Sequence, residues 1–363
     1  MTNLPRMLSL CCLSVLAPAL FAESVGFVQT NLASNQPGAI SPDPTLLNAW
    51  GLAASGASPW WIGVNGSGIS ELYSGAGVKQ SLVVTIPGDG SVTGVLFSGV
   101  AGSFNGDAFL FASEDGTFSG WRGALGTSAE TLAIADPNNV YKGLGGATIG
   151  GNMYAFLANF HTGNIDVFKG NSGAPDLPGR FVDPTLPAGY APFNVTNLAG
   201  KLYVSYAVRD STGHDDVPGA GNGIVDIFDV NGIFIQRLVT GGVLNSPWGM
   251  ALAPAGFGDL GGSLLVGNFG DGTIHAFNPT SGALVETLTN PGGSTLTIDG
   301  LWALGFGNGT GSGPTNTLYF TAGPNGESDG LFGQLVAAPE PSTWTLAGVG
   351  LLGAVLRRRR IKS

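Results

Sequence analysis

The densest set of chemistry-bearing side chains in the chain is Asp210, His214, Asp215 and Asp216, four groups within seven residues. Oxygen-rich loops of this kind suit Ca²⁺, a hard cation that takes carboxylate and carbonyl oxygens. The stretch is not an EF-hand, because Gly221 stands where the bidentate Glu would be. A solvated acidic loop is the plainer alternative, so Ca²⁺ is a candidate and no cofactor is fixed. A second set, Asn65, Glu114, Asn159 and Asn268, recurs at the ends of hairpins and could hold a ligand where those hairpins converge. The bland reading is that Asn and Asp there shape the turns through their own hydrogen bonds. His161 and His275 stand alone and become ligands only if the fold brings carboxylates to them.

Other chemistry is missing. Cys11 and Cys12 are the only cysteines, and both precede Glu23. The chain has no His-Glu-x-x-His zinc motif. Its many Gly-x-Gly stretches carry no weight when 61 of 363 residues are Gly. Charged residues make up only 10% and hydrophobic ones 43%, which excludes a coiled coil or a charged disordered tail. The formal net charge of -10 argues against nucleic acid, whose phosphates demand a basic footprint.

These candidates must be positioned by short strands, because turn residues punctuate the chain every few positions and no helical period persists. A unit near 50 residues long repeats. Its first half is a short strand with an aromatic and a small anchor, as in Asn48 to Ala53, Asn245 to Ala251 and Gly300 to Leu304; looser copies surround Gly94, Gly143 and Asn194. Its second half is a hairpin, clearest in Met153 to Phe168 and Leu264 to Phe277. Six copies, each reading as four short antiparallel strands, predict an all-β, six-bladed β-propeller over residues 23–338. The last unit offers only three strands, and the orphan stretch Ser24 to Leu32 is predicted to supply the fourth and close the ring. Loops entering the first strand and loops joining the second and third then share one face. That face gathers Asn48, Asn245, Asp299, Asp115, the four hairpin-end candidates and a long Val208 to Asn222 insertion. Trp50, Trp248 and Trp302 read as core spacers between blades rather than sugar-stacking platforms.

The ends read as address labels. Residues 1–22 have the order of a secretory signal helix: Arg6, an apolar stretch from Met7 to Leu16, and a small-residue cleavage site ending at Ala22. Residues 339–363 run from Pro339, Glu340 and Pro341 through the apolar helix Trp344 to Leu356 to Arg357, Arg358, Arg359 and Arg360. Thirteen apolar residues span about 20 Å as a helix, short of a ~30 Å bilayer core, so the run suits a temporary anchor. Between the two end segments lie 8 basic and 23 acidic residues, leaving the body near -15.

The C-terminal tripartite pattern resembles the PEP-CTERM sorting signal. That resemblance implies an exosortase as processing partner, transient inner-membrane anchoring, and release to the envelope or extracellular matrix of a Gram-negative bacterium. The body resembles the NHL or gluconolactonase-like propellers, and more closely an uncharacterised bacterial family of exported proteins. The residues that carry this are Asn48 to Ala53, Tyr141 to Leu144, Ala191 to Asn194, His214 to Val217 and Ser246 to Gly249. No activity comes with the latter family. The expectation is a non-enzymatic protein that binds or organises envelope or exopolysaccharide material. The alternative is a metal-dependent hydrolase or lactonase at the channel mouth, where Asn65, Glu114, Asn159 and Asn268 would imitate the gluconolactonase-like ion site.

Overall fold

The computed structural model describes residues 26–338; the secretory signal and the sorting signal read from the sequence lie outside the described residues. Six antiparallel sheets stand around one axis, and their innermost strands neighbour one another in an unbroken circle. Blade 1 is built from Ala49–Ala53, Trp60–Val64, Ile69–Tyr73 and Lys79–Thr85. Blade 2 is Val92–Phe97, Phe109–Ser113, Phe118–Trp121 and Glu130–Ala133. Blade 4 is Tyr190–Leu198, Lys201–Val208, Ile224–Asp229 and Phe234–Thr240, and blade 5 is Pro247–Leu252, Leu264–Asn268, Ile274–Phe277 and Leu284–Thr287.

Blade 6 shows the expected closure. Leu301–Phe306, Leu318–Ala322 and Leu331–Ala337 come from the end of the propeller, and Phe27–Ser34 from its beginning adds the fourth strand, edged by a two-residue parallel strand, Ser41–Pro42. Phe27 pairs with Ala337 and Ser34 with Leu331, so chain start and chain end zip together antiparallel. This removes a free edge between first and last blade. Blade 3 departs from the four-strand expectation. Tyr141–Ile149, Asn152–Asn159 and Asn164–Lys169 form a three-stranded sheet, and residues 170–189 pass its outer side without a ladder. Phe181 in that passage packs on Phe156 and Phe228 at 5.1 and 5.6 Å, so the segment is tied down by side chains instead.

Among the described residues the buried apolar side chains fall into six clusters between neighbouring blades and a seventh on the axis. No single blade encloses a core of its own, which is why the ring must be complete to be stable. The small anchors of the repeat mark where inner strands butt together. A Cβ on Gly94 would come within 2.6 Å of the Leu144 amide nitrogen, and one on Gly143 within 2.7 Å of Asn194 Cα. Gly is demanded there by close approach of the next blade.

Candidate functional site

Every inner strand is broken by a register shift near its start, between Ala49 and Leu52, Val92 and Val95, Tyr141 and Gly143, Pro192 and Asn194, Pro247 and Gly249, and Leu301 and Leu304. A bulge re-aims the side chain it carries. Trp50, Lys142, Phe193, Trp248 and Trp302, from five different blades, meet across the axis at this level. Trp50 stacks on Trp302 at 3.6 Å, Trp248 meets Trp302 edge-on at 5.8 Å, and Phe193 lies 5.9 Å from Trp302. The three tryptophans are therefore neither spacers between blades nor exposed platforms. They plug the channel. Two residues before each stands a left-handed residue, Asn48 (φ 47°), Ser246 (φ 47°) and Gly300 (φ 64°), which turns the chain inward.

Above the plug, at the end where the inner strands begin, lies an arc of polar side chains. Trp302 Nε1 donates to Asn48 Oδ1 at 3.0 Å, and Asn48 Nδ2 donates to Glu327 Oε2 at 3.1 Å and more loosely to Asn65 Oδ1 at 3.4 Å. Asn65 Nδ2 donates to Glu114 Oε2 at 3.0 Å. Glu114 Oε1 accepts from the Lys142 ammonium, which also donates to Asp215 Oδ1 at 3.1 Å. His214 Nδ1 stands 2.9 Å from the same Asp215 oxygen. Loops of blades 6, 1, 2 and 4 and the bulged inner strand of blade 3 thus supply one continuous set of contacts.

The charges settle each other. Burial alone would lower the pKa of Lys142, but the Glu114 and Asp215 carboxylates outweigh it and hold the ammonium charged. Its Nζ lies 5.5 Å over the Trp50 ring, adding a cation–π contact to the plug. Burial opposes ionisation of Asp215, yet Lys142 and His214 keep its pKa low. Burial pushes Glu327 up to about 7; the Glu114, Asp215 and Asp216 charges add to this and Lys142 opposes it. Burial also raises Asp216, with the Lys142 charge opposing it.

Of the four hairpin-end candidates, Asn65 and Glu114 belong to this arc and Asn159 and Asn268 do not. Asn159 accepts from the Val140 and Thr162 amides and donates to Asn139 and Asp166. Asn268 accepts from the Asn245 amide and donates to the Val243 carbonyl and Thr273. Both amides are consumed in holding turns. Of the acidic loop, Asp210 faces its own turn, accepting from the Thr212, Gly213 and His214 amides. Asp215 joins the arc, and His214 and Asp216 lie beside it. One oxygen or nitrogen of each of Glu114, His214 and Asp215 lies within 4.8 Å of the others, a spacing that could hold a metal ion. The Lys142 ammonium already bridges two of those three groups. His275 is buried between Thr273 and Thr287 hydroxyls, and burial depresses its pKa.

Sequence reasoning missed Lys142 as a charge and Glu327 altogether. Both lie in stretches read as strand or turn, and only the ring brings them to Glu114. Beside Glu327 the mouth opens into a pocket of about 260 Å³ lined by Pro218, Phe269, Gly270, Asp299, Gly300, Gly323, Gly326 and Glu327. Phe269 stacks on Trp302 at 3.9 Å with 15° between planes, so it continues the plug up to the pocket wall.

The opposite end of the channel is different in kind. A cavity of about 390 Å³ runs up to the plug, with Leu52, Trp60, Leu96, Phe97, Leu304 and Phe306 among its lining residues. No titratable side chain contributes to that lining.

The architecture is that of a six-bladed β-propeller, and residues 337–360 match the PEP-CTERM protein-sorting motif. That motif implies an exported, exosortase-processed protein of a Gram-negative bacterium. The chain belongs to a family that includes two uncharacterized proteins of Acanthamoeba polyphaga mimivirus. One is 32% identical over 328 residues, 84% of this chain and 78% of that one. The second is 32% identical over 320 residues, 81% of each. Among solved structures, a glucose dehydrogenase (15% identity, TM-score 0.52, 86% of this chain and 100% of that one) is similar in fold. So is an α-L-arabinofuranosidase of Fusarium graminearum (11% identity, TM-score 0.51, 86% and 98%). These likenesses establish the fold and the family. Among the described residues no helix is long and apolar enough to cross a membrane.

Proposed function

We propose that this exported propeller is a non-enzymatic binding protein that holds envelope or matrix polysaccharide in the mouth lined by Phe269 and Glu327. In this reading a leader removed after Ala22 exports the chain, and the apolar run Trp344 to Leu356 holds the precursor briefly at the inner membrane before processing. The observation that carries it is the combination at one mouth of an aromatic wall, hydrogen-bonding carboxylates and Gly-lined backbone in a pocket of about 260 Å³. Sugar rings are bound by that chemistry: an apolar ring face on an aromatic, hydroxyls on carboxylate and backbone groups. Co-sedimentation of the mature protein with purified exopolysaccharide tests it. Phe269→Ala and deletion of residues 210–216 are each expected to weaken retention at least tenfold. Retention unchanged in both variants would remove this mouth from consideration.

A second reading has one observation in its favour, the convergence of Glu114, His214 and Asp215. A divalent ion there would serve a hydrolase or lactonase by polarising a carbonyl or activating water. It would first have to displace the Lys142 ammonium. Metal analysis after dialysis separates the two: stoichiometric Ca²⁺ or Zn²⁺, lost on Glu114→Gln, favours the hydrolase.

A further inference from the structure

Resting on the polysaccharide-binding reading, we infer that the upper mouth takes neutral sugar units and turns away anionic ones such as uronates and sulfated sugars. The pocket wall contains two carboxylic acids, Glu327 and Asp299, and no cation. Lys142, buried beneath the mouth, donates to both Glu114 and Asp215 and so has little left for an incoming carboxylate. Arg209 is turned to the Phe160 and His161 carbonyls. An anionic ring against Phe269 would thus meet like charge without a compensating cation. A neutral ring instead offers hydroxyls, which donate to an ionised carboxylate and also accept from a protonated one.

Glu327 makes the preference depend on pH. It is faced by Glu114, Asp215 and Asp216, with Lys142 opposing them, and Asp299 shares its pocket. Burial and these charges place its titration at about 7. Below that pH the carboxyl can donate to a sugar hydroxyl; above it the donor is lost and another negative charge appears.

Calorimetric titration of the mature protein with a neutral glucan oligosaccharide and an oligouronate of equal length, at pH 6 and pH 8 in moderate salt, tests the inference. The neutral ligand is expected to bind at least tenfold tighter at both pH values, and to weaken several-fold between pH 6 and 8. Glu327→Gln is expected to bind the neutral ligand equally at the two pH values. The Glu327→Gln, Asp299→Asn pair is expected to narrow the discrimination against uronate at least tenfold. Uronate binding as tight as glucan would overturn the charge preference while leaving saccharide binding intact. Failure of both ligands to bind would overturn this inference together with the reading beneath it.

Discussion

The two ends of the channel are made by the same six inner strands, and only one of their linings carries charge. Above the plug, long connections entering and leaving the strands carry Glu114, Asp215, Asp216, Asp299 and Glu327, tied through Asn48, Asn65 and Lys142. Below it, Leu, Phe and Trp side chains, the polar side chains of Asn194, Thr196 and Asn197, and Gly backbone line an uncharged cavity. The difference follows from where the bulges lie. They put Trp50, Trp248 and Trp302 across the axis near one end, so the charged loops form a shallow mouth while most of the strand length lies on the uncharged side. Of the two linings, only the upper one carries charged groups.

The largest expected effect comes from opening the partition. Trp302→Ala removes the partner of Trp50 and Phe269 and joins the two spaces, and should cost about 3–5 kcal/mol by chemical denaturation. An unchanged midpoint would mean that the aromatic cluster does not divide the channel. Next is Lys142→Met, which leaves Glu114 and Asp215 facing each other without their cation. Breaking a buried pair on one side costs about 3 kcal/mol or more, and the loss should shrink when the pH is lowered toward 4. A loss that ignores pH would argue that Lys142 acts through packing alone.

Acid titration sharpens the contrast, because the upper end titrates and the lower lining does not. Glu327 is raised from 4.5 to about 7, so its contribution is fully present below about pH 4.5 and is lost as the pH rises through about 7. Asp216 acts in the same direction. Thermal unfolding should therefore show the protein losing more stability between pH 5 and pH 8 than Glu327→Gln does, by a difference on the order of 1 kcal/mol at this partly solvated site. The comparison with the variant matters because Asp226, in a buried cluster of blade 4, is raised to about 8 by burial and the Asp183 charge and adds the same trend. The smallest effect on polysaccharide retention, none, is expected from Phe97→Ala at the lower rim, which should cost about 1–2 kcal/mol of stability.

How much of this was written in the sequence differs between scaffold and site. The six anchors were legible because close packing of inner strands leaves room only for Gly, Ala or Asn at that position, and spacing alone reveals such a constraint. Closure by the first strand was legible because the last unit was one strand short. The short third blade was not, since residues 170–189 keep the same turn-rich composition as the blades. The hairpin-end carboxamides illustrate the limit at the site. Asn65 and Asn159 hold similar positions, but one reaches across to Glu114 while the other is spent on Asn139, Asp166 and the local amides. Lys142 and its partners lie 28 and 73 residues apart in the chain, so no local pattern announces the pair. A repeated Asp-Pro-Thr-Leu, at Asp43 to Leu46 and Asp183 to Leu186, also passed unread. In both copies the Asp binds the following Thr and a cation of the outer strand, Lys79 or Arg237, beside a buried acid, Glu71 or Asp226.

On the proposed reading, ligand is recognised at the charged mouth and not in the uncharged cavity. Hydrogen–deuterium exchange of the mature protein with and without saturating matrix polysaccharide addresses it directly. The account predicts slowed exchange in the loops 209–223, 269–273 and 323–330, with loops 54–59, 253–263 and 307–317 unaffected. Protection confined to the latter three, around the mouth of the cavity lined by Phe97 and Phe306, would contradict it.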